Sequence, residues 1–437
     1  MSIAITYNLQ KLYDADITSL YSENTASDIW REQFDLNIIN REYKNKKYKI
    51  IRYEKPCLTN SYKIRNLGLF RSVILNNENK IVSFAPPKSL KYDEFIKCYD
   101  ARNCIAEEYI EGTMINMFYN EGDWEISTKN TIGGEVIFFL DENNHKTFRQ
   151  MFLDVCDHIG LDFDILNINY CYSFVLQHPN NRIVSNISEK KLFLVKLYKI
   201  ENFNIYEVDK FDYLKTIANK CIISIPEIHW FNSFSELQNK YDTECNYSSV
   251  GVMLYSLNGE RTKIRNPTYE KIRILRGNQP KLQYHYLVLR KEEKVKEYLS
   301  YFPEHTNIFK SYNNIIYKYI SECYQYYILS HITKEQHTNT IPYKYKKIIY
   351  ELHRIYLFVL RPNKMKLQKN HIKQYISKQH PSYQMYILNY DNRNIKYKID
   401  ANSPLEIDYI NINNEELPDM LNLKIDNNSN KMVEDLN

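Results

Sequence analysis

The chain has 437 residues, of which 43% are hydrophobic and 25% charged. That is enough for two or three domains around a large core, and the balance is that of an ordinary globular protein rather than a disordered or fibrous one. The net charge of +5 is uneven: residues 401–437 hold two Lys against eight Asp and Glu, a net of −6, which leaves +11 on the residues before them. A basic body with an acidic tail suits a nucleic-acid partner, and it suits a solubility feature equally. The eight Cys include no CxxC pair, and buried thiols in a reducing compartment are the simplest reading. No charged N-terminal stretch leads into an apolar run, and no apolar run nears the ~18–20 residues that span a bilayer. The expectation is a soluble, cytoplasmic protein with no membrane partner. The 40 Tyr reflect composition bias, whereas with only 9 Gly each glycine in a motif carries information.

In chain order, residues 1–60 read as a mixed, polar lead-in with a weak helical start near Ala26–Phe34. From Leu67, LGLFRSVILNNENKIVSFAPPKS reads as strand, turn, strand and a proline-stiffened loop. CIAEEYIEGTMINMFYNEGDWEISTKN repeats the pattern about a NEGD turn. HKTFRQMFLDVCDHIG is helical, with Phe148, Met151, Phe152, Val155 and Ile159 on one stripe. CYSFVLQHPNNRIV and KKLFLVKLYKI are strands, and SVGVMLYSLNGERTKIR is a hairpin turning at Asn258-Gly259. After Pro267 the spacing turns helical: Tyr312, Ile315, Ile316, Tyr319, Ile320 and Cys323 form one stripe, and Ile349, Leu352, Ile355, Tyr356 and Val359 another. The expected organisation is a lead-in over 1–60, a first domain over 61–278, a mainly helical domain over 279–390 and an acidic, flexible tail over 391–437.

Five stretches stand out together: FRSVIL with APPKS, EEYIEGTMIN, WEISTKNTIGG, YSFVLQHPNNRIV, and the SVGVM…RTKIR hairpin. Their order and spacing resemble the covalent nucleotidyltransferase superfamily, and within it the bacteriophage RNA ligase 1-like family. A longer likeness to uncharacterised RNA-ligase-like proteins of large DNA viruses runs through RTKIRNPTYEKIRILRGNQPKLQYHYLVLR, so that the resemblance covers roughly residues 60–390. It implies an α+β ligase fold with two packed antiparallel sheets, followed by the helical domain. It also implies a reaction in which a lysine amine attacks the α-phosphate of ATP, the AMP passes to a 5′-phosphate, and a 3′-hydroxyl displaces it. Such chemistry needs a deprotonated nucleophile, cations on the phosphates, and carboxylates on a divalent metal such as Mg²⁺.

Several of those positions are changed here. The family's Lys-x-Asp-Gly is Tyr109-Ile110-Glu111-Gly112, so a tyrosine takes the nucleophile's place. A phenol titrates near ~10 and nothing adjacent in sequence lowers it, so a strand aromatic filling the vacated pocket is the plainer reading. The carboxylate expected before Pro179-Asn180-Asn181-Arg182-Ile183-Val184 is replaced by Ser173 or Val175, depending on the gap. The Glu-Gly of the fourth motif is Val250-Gly251, and Asp242 and Glu244 lie too far upstream to slip into its place. His178, before Pro179, reads as a loop residue rather than a ligand. The cations survive. Arg71 and Lys88 stand where the family presents charge to the triphosphate, Lys129 where it contacts the phosphate or nucleic-acid end, and Lys263-Ile264-Arg265 keeps two cations on one strand face. Arg261, Arg273 and Arg276 extend the set. Each of these cations has the alternative of being a solvated surface charge. The resemblance thus assigns Arg71, Lys88, Glu111, Gly112, Lys129, Arg182, Lys263 and Arg265 to a nucleotide or phosphate site, with no metal set.

Loss of the nucleophile and two carboxylates beside retained cations suggests a catalytically degenerate ligase that binds RNA or a nucleotide. Two rivals stand: an active ATP- and Mg-dependent RNA ligase with a displaced nucleophile, Lys129 or Tyr109, and a structural or assembly protein whose Tyr-rich helices bind a protein partner.

Overall fold

The computed structural model describes residues 5–21, 27–137 and 146–391, so the acidic segment from residue 392 lies outside the described residues. Three short strands open the chain: β1 (Thr6–Asn8), β2 (Lys11–Leu12) and β3 (Ala15–Asp16). Helix α1 (Ser27–Phe34) leads into a long hairpin of β4 (Leu36–Tyr43) and β5 (Lys46–Tyr53). Its two-residue turn puts Lys44 and Asn45 at φ 51 and 63, the conformation that follows the natural twist of paired strands. The stretch read as a lead-in therefore supplies sheet structure. Helix α2 (Ser61–Leu67), capped by the Asn60 side chain, precedes β6 (Val73–Leu75) and β7 (Ile81–Phe84). The expected strand from Leu67 thus begins only at Val73.

After α3 (Tyr92–Cys98) come β8 (Cys104–Glu108), β9 (Thr113–Asn120) and β10 (Asp123–Ser127). Helix α4 (Phe148–His158) carries a capping box between Thr147 and Gln150 and buries the expected stripe. Strands β11 (Tyr170–Gln177), β12 (Lys191–Glu201) and β13 (Asn204–Glu207) follow, then α5 (Lys210–Ile217), β14 (Ile228–His229), α6 (Phe234–Asn239), β15 (Gly251–Ser256) and β16 (Arg261–Arg265). The rest is helical: α7 (Pro267–Arg276), α8 (Leu282–Lys291), α9 (Val295–Tyr301), α10 (Thr306–Tyr327), α11 (Tyr343–Ile355), α12 (Lys369–Lys378) and α13 (Pro381–Leu388). None of the described helices is long and apolar enough to cross a membrane.

The strands of the described residues make three antiparallel sheets and a two-stranded ribbon, where two sheets were expected. Their orders are β1-β13-β12-β11-β9-β10, β14-β8-β15-β16 and β4-β5-β6-β7. The third sheet shares its core with the first, through Tyr48, Ile50, Val73 and Phe84 against Phe118, Cys171, Tyr198 and Ile205. The second packs Ala106, Val252, Leu254 and Ile264 against Ile64, Phe95, Leu237 and Tyr241 from its own helices. A further apolar cluster runs from Val184, Val250 and Tyr269 through Tyr298, Ile316 and Ile349 to Ile387. It crosses residue 278 without a seam, because α7 shares it with the later helices.

Buried charge ties the first two sheets together. Lys210 of α5 donates to both oxygens of Glu107 on β8, 2.8 Å each, and to the Val195 carbonyl at 3.1 Å. Lys196 of β12 pairs with Glu207, and its ammonium lies 4.0 Å from the centre of the Tyr255 ring on β15. Removing one partner of such a pair strands a charge away from water, at roughly 3–5 kcal/mol. The pairs hold β8 in place, and β8 leads directly into Tyr109.

Between β8 and β9 the chain crosses from one sheet to another. Gly112 makes the crossing at φ 152, and a Cβ there would sit 2.4 Å from the Leu176 carbonyl oxygen and 2.7 Å from Val175 Cγ1. Gly112→Ala is expected to destabilise the fold by about 2–3 kcal/mol, through overpacking against backbone that has nowhere to move. Thermal or urea unfolding checks this. An unchanged midpoint would mean that the crossing is looser than described.

Candidate anion-binding site

The site is assembled from loops at the ends of four strands. Tyr109 follows β8, and its backbone N–H donates to the Gly251 carbonyl at 3.1 Å. Gly251 leaves no room for a side chain, since a Cβ there would stand 2.1 Å from the Ile264 carbonyl oxygen. Gly251 also pairs with Arg265, and Met253 with Lys263, so the alternation of β16 places both cations on one face. Arg71 lies just before β6. Lys88 lies in the Pro86-Pro87 loop after β7, and Lys129 in the tight loop after β10, which is closed by a 2.9 Å bond from Thr128 N–H to the Thr131 carbonyl.

The loop carrying Lys88 is clamped from two sides. Arg261, buried on β16, donates to the carbonyls of Pro87 at 2.7 Å and Pro86 at 3.0 Å. The Lys88 N–H donates to the Gly68 carbonyl at 2.9 Å, and Lys88 Nζ reaches the Ser89 carbonyl at 3.1 Å. Arg71 makes a long 3.5 Å contact with the Pro86 carbonyl. Among the described residues, none of Arg71, Lys88, Lys129 and Lys263 has a carboxylate as an ion-pair partner. Glu270 acts on Lys263, but its oxygens are taken by Arg265, at 2.7 Å, and by Arg273.

The consequence is mutual depression of the lysines. Lys88 is lowered to about 8, first by burial and then by Lys263, Arg71 and Arg261. Lys263 is also lowered to about 8, by burial and then by Arg265, Arg71 and Arg261. Lys129, the most exposed of the three, is lowered to about 8 by partial burial and then by Arg71, Arg52, Lys55 and Lys88. Arg71 acts on all three, and burial beside Arg261 lowers its own value. Burial and like charge both penalise the protonated form, and an anion brought among these groups would relieve the second penalty.

Three expected site residues are committed elsewhere. Buried Glu111 accepts from the N–H of Val184 at 2.9 Å and from the N–H and hydroxyl of Ser185, so its carboxylate is a strut for that loop. Arg182 donates to the Val184 carbonyl, to the Tyr301 carbonyl at 2.9 Å and to Glu304 at 2.6 Å, and it stacks on the Phe302 ring at 4.8 Å. It ties the loop to α9 and the segment after it. Arg265 is held by Glu270 and reaches the Tyr109 hydroxyl at 3.4 Å, with its guanidinium 5.7 Å from the centre of that ring. Gly112 serves the strand crossing. Arg273 shares Glu270 with Arg265, and Arg276 is buried over the Phe302 ring.

The positions where the resemblance leads one to expect carboxylates hold neutral residues that are packed or bonded. Ser173 Oγ donates to Asn116 Oδ1 at 2.8 Å, Val175 is buried, and Val250 belongs to the helical core cluster. His178 is a loop residue: it bonds Asp154 at 2.8 Å and accepts from the Asn180 N–H. With Glu111 occupied and neutral residues at the other two positions, the donor set does not fit a divalent metal. A cleft of about 530 Å³ lies elsewhere, lined by Asn40, Glu42, Tyr48, Lys49, Asn76 and Asn79 among others, and none of the clustered cations lines it. Arg52 and Lys55, which flank Lys129, were missed because they fall in the stretch read as a lead-in.

Arg182→Ala is expected to lower the unfolding midpoint by several degrees while leaving phosphate affinity within about twofold of wild type. Calorimetric unfolding and a binding titration read the two effects separately. A large loss of affinity in a stably folded variant would return Arg182 to the anion site.

No family model matches the chain. Over 100 residues, 22% of its length, it is 27% identical to an RNA ligase of Rhodothermus phage RM378, and the match spans 23% of that protein. The chain therefore matches about a quarter of that curated relative's length. Among solved structures, an archaeal ATP-dependent RNA ligase aligns over 65% of this chain and 73% of its own, at 10% identity and a TM-score of 0.40. An RNA ligase of Naegleria gruberi, solved with ATP and Mn, aligns over 39% of this chain and 51% of its own, at 10% identity and a TM-score of 0.30. In sequence the chain is similar to an RNA ligase over this limited stretch.

Proposed function

We propose that the protein is an RNA-ligase-like nucleotidyltransferase relative without the covalent step, which binds RNA or nucleotide phosphates through Arg71, Lys88, Lys129 and Lys263. Residues 61–278 would supply this site, and the helices of 279–390 would brace it or meet a protein partner. One observation carries the reading. These cations stand together with no carboxylate ion-pair partner among the described residues, beside a Tyr109 that is engaged with Arg265. The phosphates of ATP fit this charge; the metal does not fit the donors around it.

A second reading has one observation in its favour. Lysines held at about 8 keep a larger neutral fraction than an ordinary lysine, which suits an amine nucleophile. In that case Lys129 Nζ would form a bond to the α-phosphorus of ATP. Pyrophosphate would leave with the electron pair of the broken P–O bond, and the amine proton would pass to solvent. The protein would then be an ATP-dependent RNA ligase with a displaced nucleophile.

Incubation with labelled ATP or GTP and Mg²⁺ or Mn²⁺, followed by denaturation, separates the two. No label should remain on the chain, and a retained label would overturn the non-covalent reading. Binding of 5′-phosphorylated RNA should weaken about tenfold or more in Lys88→Ala/Lys263→Ala, which is at least about 1.4 kcal/mol.

The same lysines make binding depend on pH in one direction. They titrate near 8 when the site is empty, and a bound polyanion draws them back toward their ordinary value of 10.5. Binding therefore takes up protons between those limits, and affinity must fall as pH rises through them. Metal-free ATP titrated by calorimetry from about pH 7.5 to about pH 10 should weaken by about tenfold or more. A flat profile would count against these lysines as the contact groups.

A further inference from the structure

The positive charge does not end at Lys129. Its ammonium lies over the Tyr53 ring, 5.2 Å from the centre, and Tyr53 follows Arg52 at the end of β5. Arg52 Nη1 in turn donates to Asn130 Oδ1 at 3.3 Å, so the two segments interlock, each through the neighbour of a cation. Arg52 Nε is buried and has no hydrogen-bond partner among the described residues. Lys55 is exposed and, like Arg52 and Lys129, has no carboxylate ion-pair partner among the described residues. The acid between them in sequence, Glu54, turns to Arg31 instead, 3.9 Å away. Arg52 and Lys55 stand close enough to Lys129 to disfavour its charge, as Arg71 and Lys88 do. Lys129 thus belongs to both groups of cations: it feels Arg71 and Lys88 of the first, and Arg52 and Lys55 at and after the end of β5.

We infer that Arg52, Lys55 and Lys129 form a second phosphate subsite continuous with the first, so that the ligand is a nucleic-acid strand carrying consecutive phosphates rather than a free mononucleotide. The inference rests on the reading of the first cluster as a phosphate site. A single nucleotide seated against Arg71, Lys88, Lys129 and Lys263 leaves Arg52 and Lys55 without a counter-charge. A strand running across both groups neutralises both, with release of counterions at each contact. Such binding is backbone-directed and tolerant of sequence.

The test uses the full chain, a 5′-phosphorylated single-stranded RNA of about 12 nucleotides, and metal-free ATP. In Arg52→Ala/Lys55→Ala, RNA affinity should fall about tenfold at about 50 mM salt. The slope of log affinity against log salt should flatten by about 1.4, from two lost contacts at about 0.7 each, while ATP affinity stays within about twofold. Lys55→Glu alone, at an exposed position, gives the same reading if the double variant is unstable. RNA affinity and slope unchanged in both variants, with ATP and RNA still bound and both lost in Lys88→Ala/Lys263→Ala, would remove the second subsite and leave the first standing. If wild type binds neither probe, both fall.

Discussion

Arg71 and three lysines are held together, partly out of water, with no carboxylate ion-pair partner among the described residues, and the rest of the site is built around sustaining that repulsion. Each like charge at close range costs free energy, and burial raises the cost by weakening the screening. The framework absorbs it through neutral oxygens. Arg261 is bonded to the carbonyls of Pro86 and Pro87, and Lys88 to that of Ser89, so backbone dipoles stand where carboxylates would otherwise be. Prolines suit that loop because their fixed φ holds the carbonyls in place without adding flexibility. Dipoles stabilise the cations without cancelling their charge, so the field remains available to an incoming anion.

Acids are not absent from the region; they are spent. Glu270 holds Arg265 and Arg273, Glu304 holds Arg182, Glu107 holds Lys210, and Glu111 holds the amides of Val184 and Ser185. The structure thus sorts its charges into two populations. Paired charges fix the positions of loops, sheets and helices, and Arg71, Lys88, Lys129 and Lys263 are half-buried or exposed cations that the nearby acids do not neutralise. A pairing of Lys88 or Lys263 with any of these acids would have removed the repulsion and the anion site with it.

Much of the framework was legible in the sequence because it rests on local rules. The Asn258-Gly259 turn, the stripe on α4 and the helical spacing after Pro267 depend on near neighbours, and the structure has each of them. The cations drawn from Arg71, Lys88, Lys129 and Lys263 were also visible, as residue types in an ordered set of motifs. What was hidden depends on partners distant in the chain or on unusual turns. Arg182 and Glu304 are 122 residues apart, and nothing local to the arginine announces that contact. Glu111 looks the same in sequence whether it serves a metal or a pair of backbone amides. The hairpin of β4 and β5 escaped notice because LNIINREY alternates poorly and its turn puts Lys44, not glycine, at positive φ. Missing that hairpin also hid Arg52 and Lys55.

The substituted positions say what kind of binding the cluster can support. Tyr109 bonds Arg265, Ser173 bonds Asn116, and Val250 is packed into the helical core, so each has been absorbed into its surroundings rather than left as a hole. A group of cations without carboxylates among them presents a stronger field to a phosphate, and it offers few donors that would let a metal bridge protein and ligand. A phosphate ligand bound as proposed would be held by direct contact between ammonium or guanidinium groups and phosphate oxygens. Contacts of that kind displace counterions one phosphate at a time, so affinity is set by how many phosphates the ligand presents in register with the cations. Under the proposed reading, recognition by such a surface would follow the length and charge of a backbone more than the identity of its bases.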